Sequence, residues 1–276
     1  MLGDMTAHTL PLDGVNLHYE TRGEGPTLLL IAGGATDAAI FAGLADVLAD
    51  RYRVVTYDPR GNSRSPLTGP PSDIAIPLLA DDARQLLEVL GGSPAQVFGS
   101  SSGAITGLDL LTRFPQLVRR LVAHEPPMFS VLPDAGHWHE QLQDLVAASW
   151  AEGVAAGMQR FATLMLGVGL TPGQTDAPDD DSRDARHMVA NAGLFLAHEV
   201  VPFTRYRPDL EALGARRQRV VLAVGAESSE LPPTQPARWL ADRFGLTLQV
   251  FPGNHVGYAF DPDAFAQQLD AQLQAG

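Results

Sequence analysis

The sequence predicts an α/β protein in which a mostly parallel, eight-stranded sheet is flanked by helices. Short, continuously apolar runs recur along the chain, which is typical of strands buried on both faces of a parallel sheet. Amphipathic stretches of helical length lie between these runs. The alternation is interrupted once, by a long stretch without a convincing strand. We therefore expect a doubly wound sheet that carries one helical insertion.

The first two strands are predicted to form an antiparallel hairpin. His8–Leu12 and Val15–Thr21 alternate in polarity, and Asp13-Gly14 between them is a strong turn because both residues tolerate positive φ. Six apolar runs are predicted as the remaining strands: Thr27–Ile31, Arg53–Tyr57, Ala95–Phe98, Leu117–Ala123, Arg219–Val224 and Leu246–Phe251. The helices of the core are expected at Ala38–Ala49, Leu78–Leu90, Ala104–Arg113, Pro236–Phe244 and Pro262–Leu273.

Helix-like segments follow one another between about Pro126 and Pro208. We expect them to form a cap over the C-terminal edge of the sheet, and we call residues 128–205 the insertion. Residues 1–127 and 206–276 are then predicted to form the core domain. Within the insertion, Thr171–Asp184 is rich in Pro, Gly and Asp, which favours a solvated loop. A calcium site is disfavoured there because the alternating ligands and central glycine of an EF-hand are missing.

The composition excludes several classes of function. The formal net charge is −13 and every basic residue is arginine, so nucleic acid is a disfavoured partner. No apolar run is long enough to span a membrane, and Met1–Pro11 has no signal-peptide core, so we expect a cytoplasmic protein. The absence of cysteine excludes disulfides and thiolate catalysis. No cofactor or metal is predicted, because His137 and His139 lack a suitably spaced third ligand. The sequence leaves open whether the protein is a homodimer.

The strongest functional signal is Gly99-Ser100-Ser101-Ser102-Gly103, directly after one predicted strand and directly before a predicted helix. A nucleophile on such a tight turn lies in strained backbone and needs small residues on both sides. The turn also directs the first amides of the helix, including that of Ser102, toward the serine hydroxyl. This pattern predicts that Ser101 is a nucleophile.

A serine hydroxyl needs a general base, and the chain contains eight histidines. His255 follows the last predicted strand in Phe251-Pro252-Gly253-Asn254-His255, at the sheet edge where Ser101 is also expected. We therefore predict that His255 is the base. Six of the other histidines belong to the opening hairpin or to the insertion: His8, His18, His137, His139, His187 and His198.

These motifs resemble those of the α/β-hydrolase superfamily over nearly the whole chain, and the resemblance implies a serine hydrolase. Ile31-Ala32-Gly33-Gly34 resembles the oxyanion turn that follows the third strand in that superfamily. By this resemblance, the N–H groups of Gly34 and Ser102 are expected to form an oxyanion hole. Two fixed donors of this kind would stabilise the charge on a tetrahedral intermediate.

A second superfamily motif follows the fourth predicted strand. Tyr57-Asp58-Pro59-Arg60-Gly61-Asn62-Ser63-Arg64-Ser65 resembles the pattern Asp-x-Arg-Gly-x-x-x-Ser. Its charged side chains lie in a loop that must keep a defined shape near the nucleophile. We expect Asp58 and Arg60 to brace this loop rather than to contact a substrate.

The acid that would complete a serine–histidine–acid triad departs from the usual superfamily pattern. Most members carry Asp in a Gly-x-x-Asp pattern after the penultimate strand, where this chain reads Gly225-Ala226-Glu227-Ser228. A minority place the acid after the sixth strand, where this chain has His124-Glu125-Pro126-Pro127. We predict Glu125 as the acid that orients His255, with Glu227 and Glu230 as alternatives.

The strips Gly-x-Ser-Ser-Gly-Ala, His-Glu-x-Pro and Pro-Gly-x-His together resemble the active sites of the fungal zearalenone lactone hydrolases. The resemblance implies hydrolysis of a small-molecule carboxylic ester or lactone through an acyl-enzyme on Ser101. Cleavage of a carbon–carbon bond, peracid formation by the same triad, and a non-catalytic ligand-binding homologue are the alternatives. We expect the substrate pocket to be lined by apolar residues of the insertion: Trp138, Trp150, Met165 and Phe195.

Overall fold

The computed structural model describes residues 5–91, 94–167, 183–228 and 230–275. Its strands are β1 (Thr6–Leu12), β2 (Val15–Arg22), β3 (Thr27–Ile31), β4 (Arg53–Tyr57), β5 (Ala95–Ser100), β6 (Val118–His124), β7 (Val220–Gly225) and β8 (Gln249–Phe251). They form one sheet in the order β1-β2-β4-β3-β5-β6-β7-β8. β2 pairs antiparallel with β1 and with β4, and the other pairs are parallel. The predicted eight-stranded fold is confirmed.

Helices cover both faces of the sheet and fill the insertion. The helices are α1 (Ala42–Leu48), α2 (Ile76–Val89), α3 (Ser102–Arg113), α4 (Ala135–Glu152), α5 (Val154–Leu166), α6 (Arg183–Leu194), α7 (Val200–Arg205), α8 (Leu210–Gly214), α9 (Thr234–Phe244), α10 (Gly257–Phe260) and α11 (Pro262–Gln274). A π-helical turn, Phe195–Glu199, connects α6 to α7. Between β6 and β7, the part of the chain that the structure describes contains helices and turns but no strand.

The core is divided by the sheet into two apolar layers. One layer packs β-strand side chains against α2, α3, α8 and α9, and the other packs them against α1, α10 and α11. A third cluster lies within the insertion and includes side chains from α4, α5 and the π turn. Burial on both faces explains why the central strands appear in the sequence as uninterrupted apolar runs.

One predicted strand is shorter in the structure, and one predicted loop lies mostly outside the described residues. The last strand was predicted from Leu246 but begins at Gln249, since it is an edge strand that pairs only with the last three residues of β7. Leu246 and Leu248 pack against the core without joining the sheet. Most of the predicted loop Thr171–Asp184 lies outside the described residues, and its last two residues, Arg183 and Asp184, begin α6.

The loop after β4 is held by buried ion pairs. Asp58 is fully buried; it accepts the backbone N–H of Ala38 at 3.0 Å and the Nε and Nη2 of Arg64 at 2.8 Å each. Arg60 forms two hydrogen bonds with the carboxylate of Asp82 on α2, at 2.7 and 2.6 Å. Both motif residues bind protein groups, which agrees with the expectation that they brace the loop.

Replacement of Asp82 with alanine is expected to lower the free energy of unfolding by about 3–5 kcal/mol, because the buried guanidinium of Arg60 would lose its partner. Urea unfolding followed by circular dichroism measures this loss. Asp81→Ala is the matched control, since the neighbouring Asp81 is partly exposed and its pairs with Arg84 and Arg113 are expected to contribute at most about 1 kcal/mol. Equal losses in the two variants would contradict the bracing role.

Candidate active site

Ser101 lies on a sharp turn between β5 and α3. Its φ is +55° and its ψ is −125°, a strained conformation for a residue with a side chain. The turn is fixed because Ser101 N–H donates to the carbonyl oxygen of His124 at 2.9 Å. A Cβ atom on Gly99 would collide with the carbonyl oxygen of Gly103, and one on Gly103 would collide with that of Ile31. The two glycines are therefore required by close backbone approach, as the motif predicts.

The turn that follows β3 lies directly against Ser101. A Cβ atom on Gly33 would be 3.0 Å from the Cβ of Ser101. Gly33, Gly34 and Ser102 line the same small cavity, so the structure brings the two predicted oxyanion donors to the same end of the sheet. The ring of Phe195 covers Gly34 so closely that a side chain at position 34 would collide with it.

The buried carboxylate of Glu125 joins two loops at the C-terminal edge of the sheet. Its Oε2 is 2.5 Å from Nδ1 of His255, and its Oε1 accepts the backbone N–H of Gly225 at 2.7 Å. Burial by itself raises the pKa of Glu125, but the hydrogen bond and charge of His255 outweigh it and hold this pKa below its ordinary value. An ionised carboxylate bound to Nδ1–H leaves Nε2 as the free, basic nitrogen of the ring.

The structure distinguishes among the three candidate acids. Glu125 is fully buried and bonded to His255, whereas Glu227 and Glu230 are exposed at the surface.

No hydrogen bond joins the hydroxyl of Ser101 to the ring of His255, although both residues are described. Such contacts are often long before a substrate binds, so the missing bond does not exclude proton transfer in a complex.

A glycine at the end of β7 allows the histidine loop to reach Glu125. β7 lies between β6 and β8, so the loop after β8 must pass over the end of β7. A Cβ atom on Gly225 would be 2.6 Å from the carbonyl oxygen of Gly253 and 2.8 Å from the carbonyl carbon of Asn254. Ser228, at the position where most of the superfamily carries Asp, is fully buried. The carboxylate that bonds to His255 therefore lies at the end of β6, on the far side of β7 from the histidine loop.

His124 is a buried histidine next to this pair that the sequence did not single out. It is fully buried, and neither of its ring nitrogens has a hydrogen-bond partner. Its ring lies among Phe98, Phe251 and Phe265, and 6.3 Å from the ring of His255. Burial lowers the pKa of His124 to about 4, so the ring is neutral at neutral pH.

The predicted pocket residues of the insertion do not share one environment. Trp138, Met165 and Phe195 are buried and belong to the same apolar cluster, and Phe195 also contacts the oxyanion turn. Trp150 is 73% exposed on α4 and lies outside this cluster. That position does not support its prediction as a pocket residue, since a wall of an apolar pocket is shielded from water. The sequence identified Trp150 as an apolar residue of a helix, but it did not show that this residue lies on the exposed face of α4.

The structure also bears on metal binding and on membrane insertion. Among the residues that the structure describes, no group of three or more His, Cys, Asp or Glu side chains is arranged to bind a metal ion. In the same residues, no helix combines the length and apolar character that crossing a bilayer requires.

Comparison with known proteins identifies the family of this chain. A profile of the α/β hydrolase fold family matches residues 26–262. The chain belongs to the α/β-hydrolase fold family. It is 34% identical over 274 residues to the "uncharacterized hydrolase YraK" of Bacillus subtilis, covering 96% of this chain and 95% of the relative. The family and this relative show that the protein is a hydrolase.

Two further matches extend the comparison to a named activity and to a solved structure. A zearalenone hydrolase of Cladophialophora bantiana is 36% identical over 283 residues, covering 94% of this chain and 93% of the relative. The crystal structure of an α/β hydrolase from Sphaerobacter thermophilus matches with a TM-score of 0.72 and 26% identity, covering 97% of this chain and all of that one. The fold and the resemblance predicted from the sequence are confirmed.

The burial of His124 predicts a pH dependence of stability. In the folded protein this ring stays neutral down to about pH 4, whereas in the unfolded chain it takes up a proton below about pH 6.5. The unfolded state binds more protons between these values, so the contribution of His124 is complete above pH 6.5 and is lost as the pH falls to 4. The total loss is expected to be about 3 kcal/mol.

Urea unfolding of wild type and of His124→Leu at pH 7.5 and pH 4 measures this contribution. The variant is expected to lose less of its free energy of unfolding over this range than wild type does. His137→Leu, at an exposed position, is the control and is expected to follow wild type. An equal pH dependence in His124→Leu and in wild type would rule out the predicted effect.

Proposed function

We propose that this hydrolase cleaves a carboxylic ester or lactone through an acyl-enzyme on Ser101. His255 removes the proton of the Ser101 hydroxyl as the oxygen attacks the carbonyl carbon, and Glu125 stabilises the resulting imidazolium. The N–H groups of Gly34 and Ser102 bind the oxyanion of the tetrahedral intermediate. His255 then protonates the departing alkoxide. Attack by water on the acyl-enzyme, assisted by the same imidazole, releases the acid and restores the free serine.

The observation that carries this proposal is the bond between the buried Glu125 carboxylate and Nδ1 of His255, at the sheet edge where Ser101 occupies a strained turn. Burying a carboxylate and an imidazole costs free energy unless they are paired. Strained backbone at a nucleophile is characteristic of active sites. The two features therefore support acyl transfer by a serine, and they are unnecessary for a fold that only binds a ligand.

The substrate class rests on the relative from Cladophialophora bantiana, whose name states that it hydrolyses zearalenone. Its identity of 36% over nearly the whole chain supports an ester or lactone as the substrate of this protein also. The buried apolar cluster of the insertion that meets the oxyanion turn through Phe195 favours a substrate with a largely apolar body.

Labelling with a fluorophosphonate probe and analysis of products test the proposal. Intact-mass spectrometry should find one adduct in wild type and none in Ser101→Ala. A panel of aryl esters, lactones including zearalenone, and 1,3-diketones is then incubated with the enzyme, with and without hydrogen peroxide. Acid and alcohol from esters or lactones are the expected products. The absence of both labelling at Ser101 and turnover of an activated ester would contradict the proposal. Turnover of diketones alone would indicate carbon–carbon bond hydrolysis instead.

Glu125→Gln is expected to reduce kcat about 10³- to 10⁴-fold without unfolding the protein. The amide has no charge to stabilise the imidazolium, and its NH₂ group would face either the Gly225 N–H or His255 Nδ1–H. Steady-state kinetics on an activated ester measure the loss. Glu227→Gln is the matched control and should stay near wild-type activity, because Glu227 is exposed. The reverse result would transfer the role of the acid to Glu227.

Gly225→Ala is expected to reduce kcat/KM about 10- to 100-fold, because the new Cβ atom would displace the loop that carries His255. The substitution keeps the backbone N–H that binds Glu125, so only the path of the loop is tested. Gly69→Ala is the control, since no atom lies within 4 Å of a Cβ atom built there. Unchanged activity in both variants would show that the close crossing has no role.

A further inference from the structure

One helix of the insertion crosses the active-site loops. Asn191 on α6 and Phe195 and Glu199 in the π turn are spaced four residues apart and are all buried. In an α-helix, residues four apart drift around the axis by about 40° at each step. A π-helical turn has more residues per turn than an α-helix, so each of its residues advances around the axis by a smaller angle. This smaller angle offsets part of the drift. The three side chains are thereby kept on the same face, toward the loops that follow β3 and β4.

Each of the three residues contacts a backbone segment beside the predicted oxyanion hole. Asn191 Oδ1 accepts the N–H of Ser63 at 2.8 Å, and its Nδ2 donates to Ser63 Oγ at 2.9 Å. The ring of Phe195 lies on Gly34. Glu199 Oε1 accepts from Nδ2 of Asn62 at 3.2 Å. One face of one helix therefore contacts both loops.

The buried position of Glu199 costs folding free energy. It is 1% exposed, and its Oε2 has no hydrogen-bond partner. Burial raises the pKa of Glu199 to about 7, while the amide of Asn62 and the N–H of Ala35 offset part of this effect. A buried carboxyl with one unsatisfied oxygen destabilises the fold relative to an apolar side chain of similar size. The presence of such a group at this position therefore favours a role other than stability.

The surroundings of Glu199 indicate what that role is. Its carboxyl lines a cavity with room for about one water molecule, together with Gly33, Gly34 and Ser102. Ala35, on the same turn as Gly34, has a φ of +61° although it is not glycine. A non-glycine residue persists in this conformation only where its surroundings hold it there. Ala35 directly follows Gly34, so the side chains beside this turn, Phe195 and Glu199, limit the orientation of the Gly34 peptide.

We propose that Glu199 is a positioning residue of the hydrolysis: buried beside Gly33 and Gly34 and bonded to Asn62, it holds the Gly33–Ala35 turn so that the Gly34 N–H faces the oxyanion. This inference rests on the proposed function, because it assigns Glu199 a role in the same oxyanion hole. Glu199 does not touch the substrate and transfers no proton. It acts by accepting hydrogen bonds, so an amide that accepts the same bonds should replace it.

Glu199→Leu and Glu199→Gln test the proposal, with Glu140→Ala as a control at an exposed glutamate of the insertion. Leucine fills the space but accepts no hydrogen bond, and it should lower kcat about 10- to 100-fold with little change in KM. The leucine variant should unfold at the same or a higher urea concentration than wild type. Glutamine should keep kcat within about threefold of wild type.

A trifluoromethyl ketone, which forms a tetrahedral adduct with the serine, separates a positioning role from a structural one. Its inhibition constant should rise in Glu199→Leu by the same factor as kcat/KM falls, while inhibition by a product acid stays unchanged. If Glu199→Leu does not fold, Asn62→Ala replaces it. That variant removes one partner of the carboxyl and is expected to lower kcat with KM unchanged.

The outcomes distinguish this inference from the proposed function. A wild-type enzyme that hydrolyses esters, with a Glu199→Leu variant as active as Glu140→Ala, would overturn the role of Glu199 and leave the serine mechanism intact. Glutamine and leucine variants that are equally impaired would also overturn it, since hydrogen-bond acceptance would then not be the cause. A wild-type enzyme that neither labels at Ser101 nor hydrolyses esters would overturn both.

Discussion

The arrangement of the site depends on one buried carboxylate that is bonded through both of its oxygens. Glu125 at the end of β6 binds the backbone of Gly225 at the end of β7 and the ring of His255 in the loop after β8. Three neighbouring segments are thus tied together at the C-terminal edge of the sheet. The pair is buried, so its two groups stabilise each other in surroundings where either one alone would be costly.

Backbone strain in this protein is concentrated around the same edge. Four non-glycine residues among those described have a positive φ: Ala35, Ser63, Ser101 and Glu125. Ser101 and Glu125 are held by backbone hydrogen bonds to the neighbouring strands β6 and β7. Ser63 is held by Asn191 of the insertion, and Ala35 directly follows Gly34, which lines one cavity with Glu199. Strain of this kind persists where the surrounding structure fixes it, which is the condition that an active site provides.

The insertion has two physical roles in this structure. Its interior forms an apolar cluster of its own, which includes Trp138 and Met165. One face of its α6–α7 helix, bearing Asn191, Phe195 and Glu199, contacts the loops after β3 and β4. A shift of this helix would therefore move the backbone around the predicted oxyanion hole as well as the walls of a pocket.

The sequence by itself determined the sheet, the sharp turn at Ser101 and the loop of His255. These depend on local patterns: apolar runs, glycines two residues before and after Ser101, and the order of strands. It also favoured Glu125, on a resemblance. The tertiary structure decided what depends on residues far apart in the chain. Glu125 alone of the three candidate acids meets His255, since the histidine loop crosses Gly225. The fold also decided that Trp150 on α4 is exposed. Glu199 lies beside Gly34 because the π turn between α6 and α7 sets which face of that helix is buried.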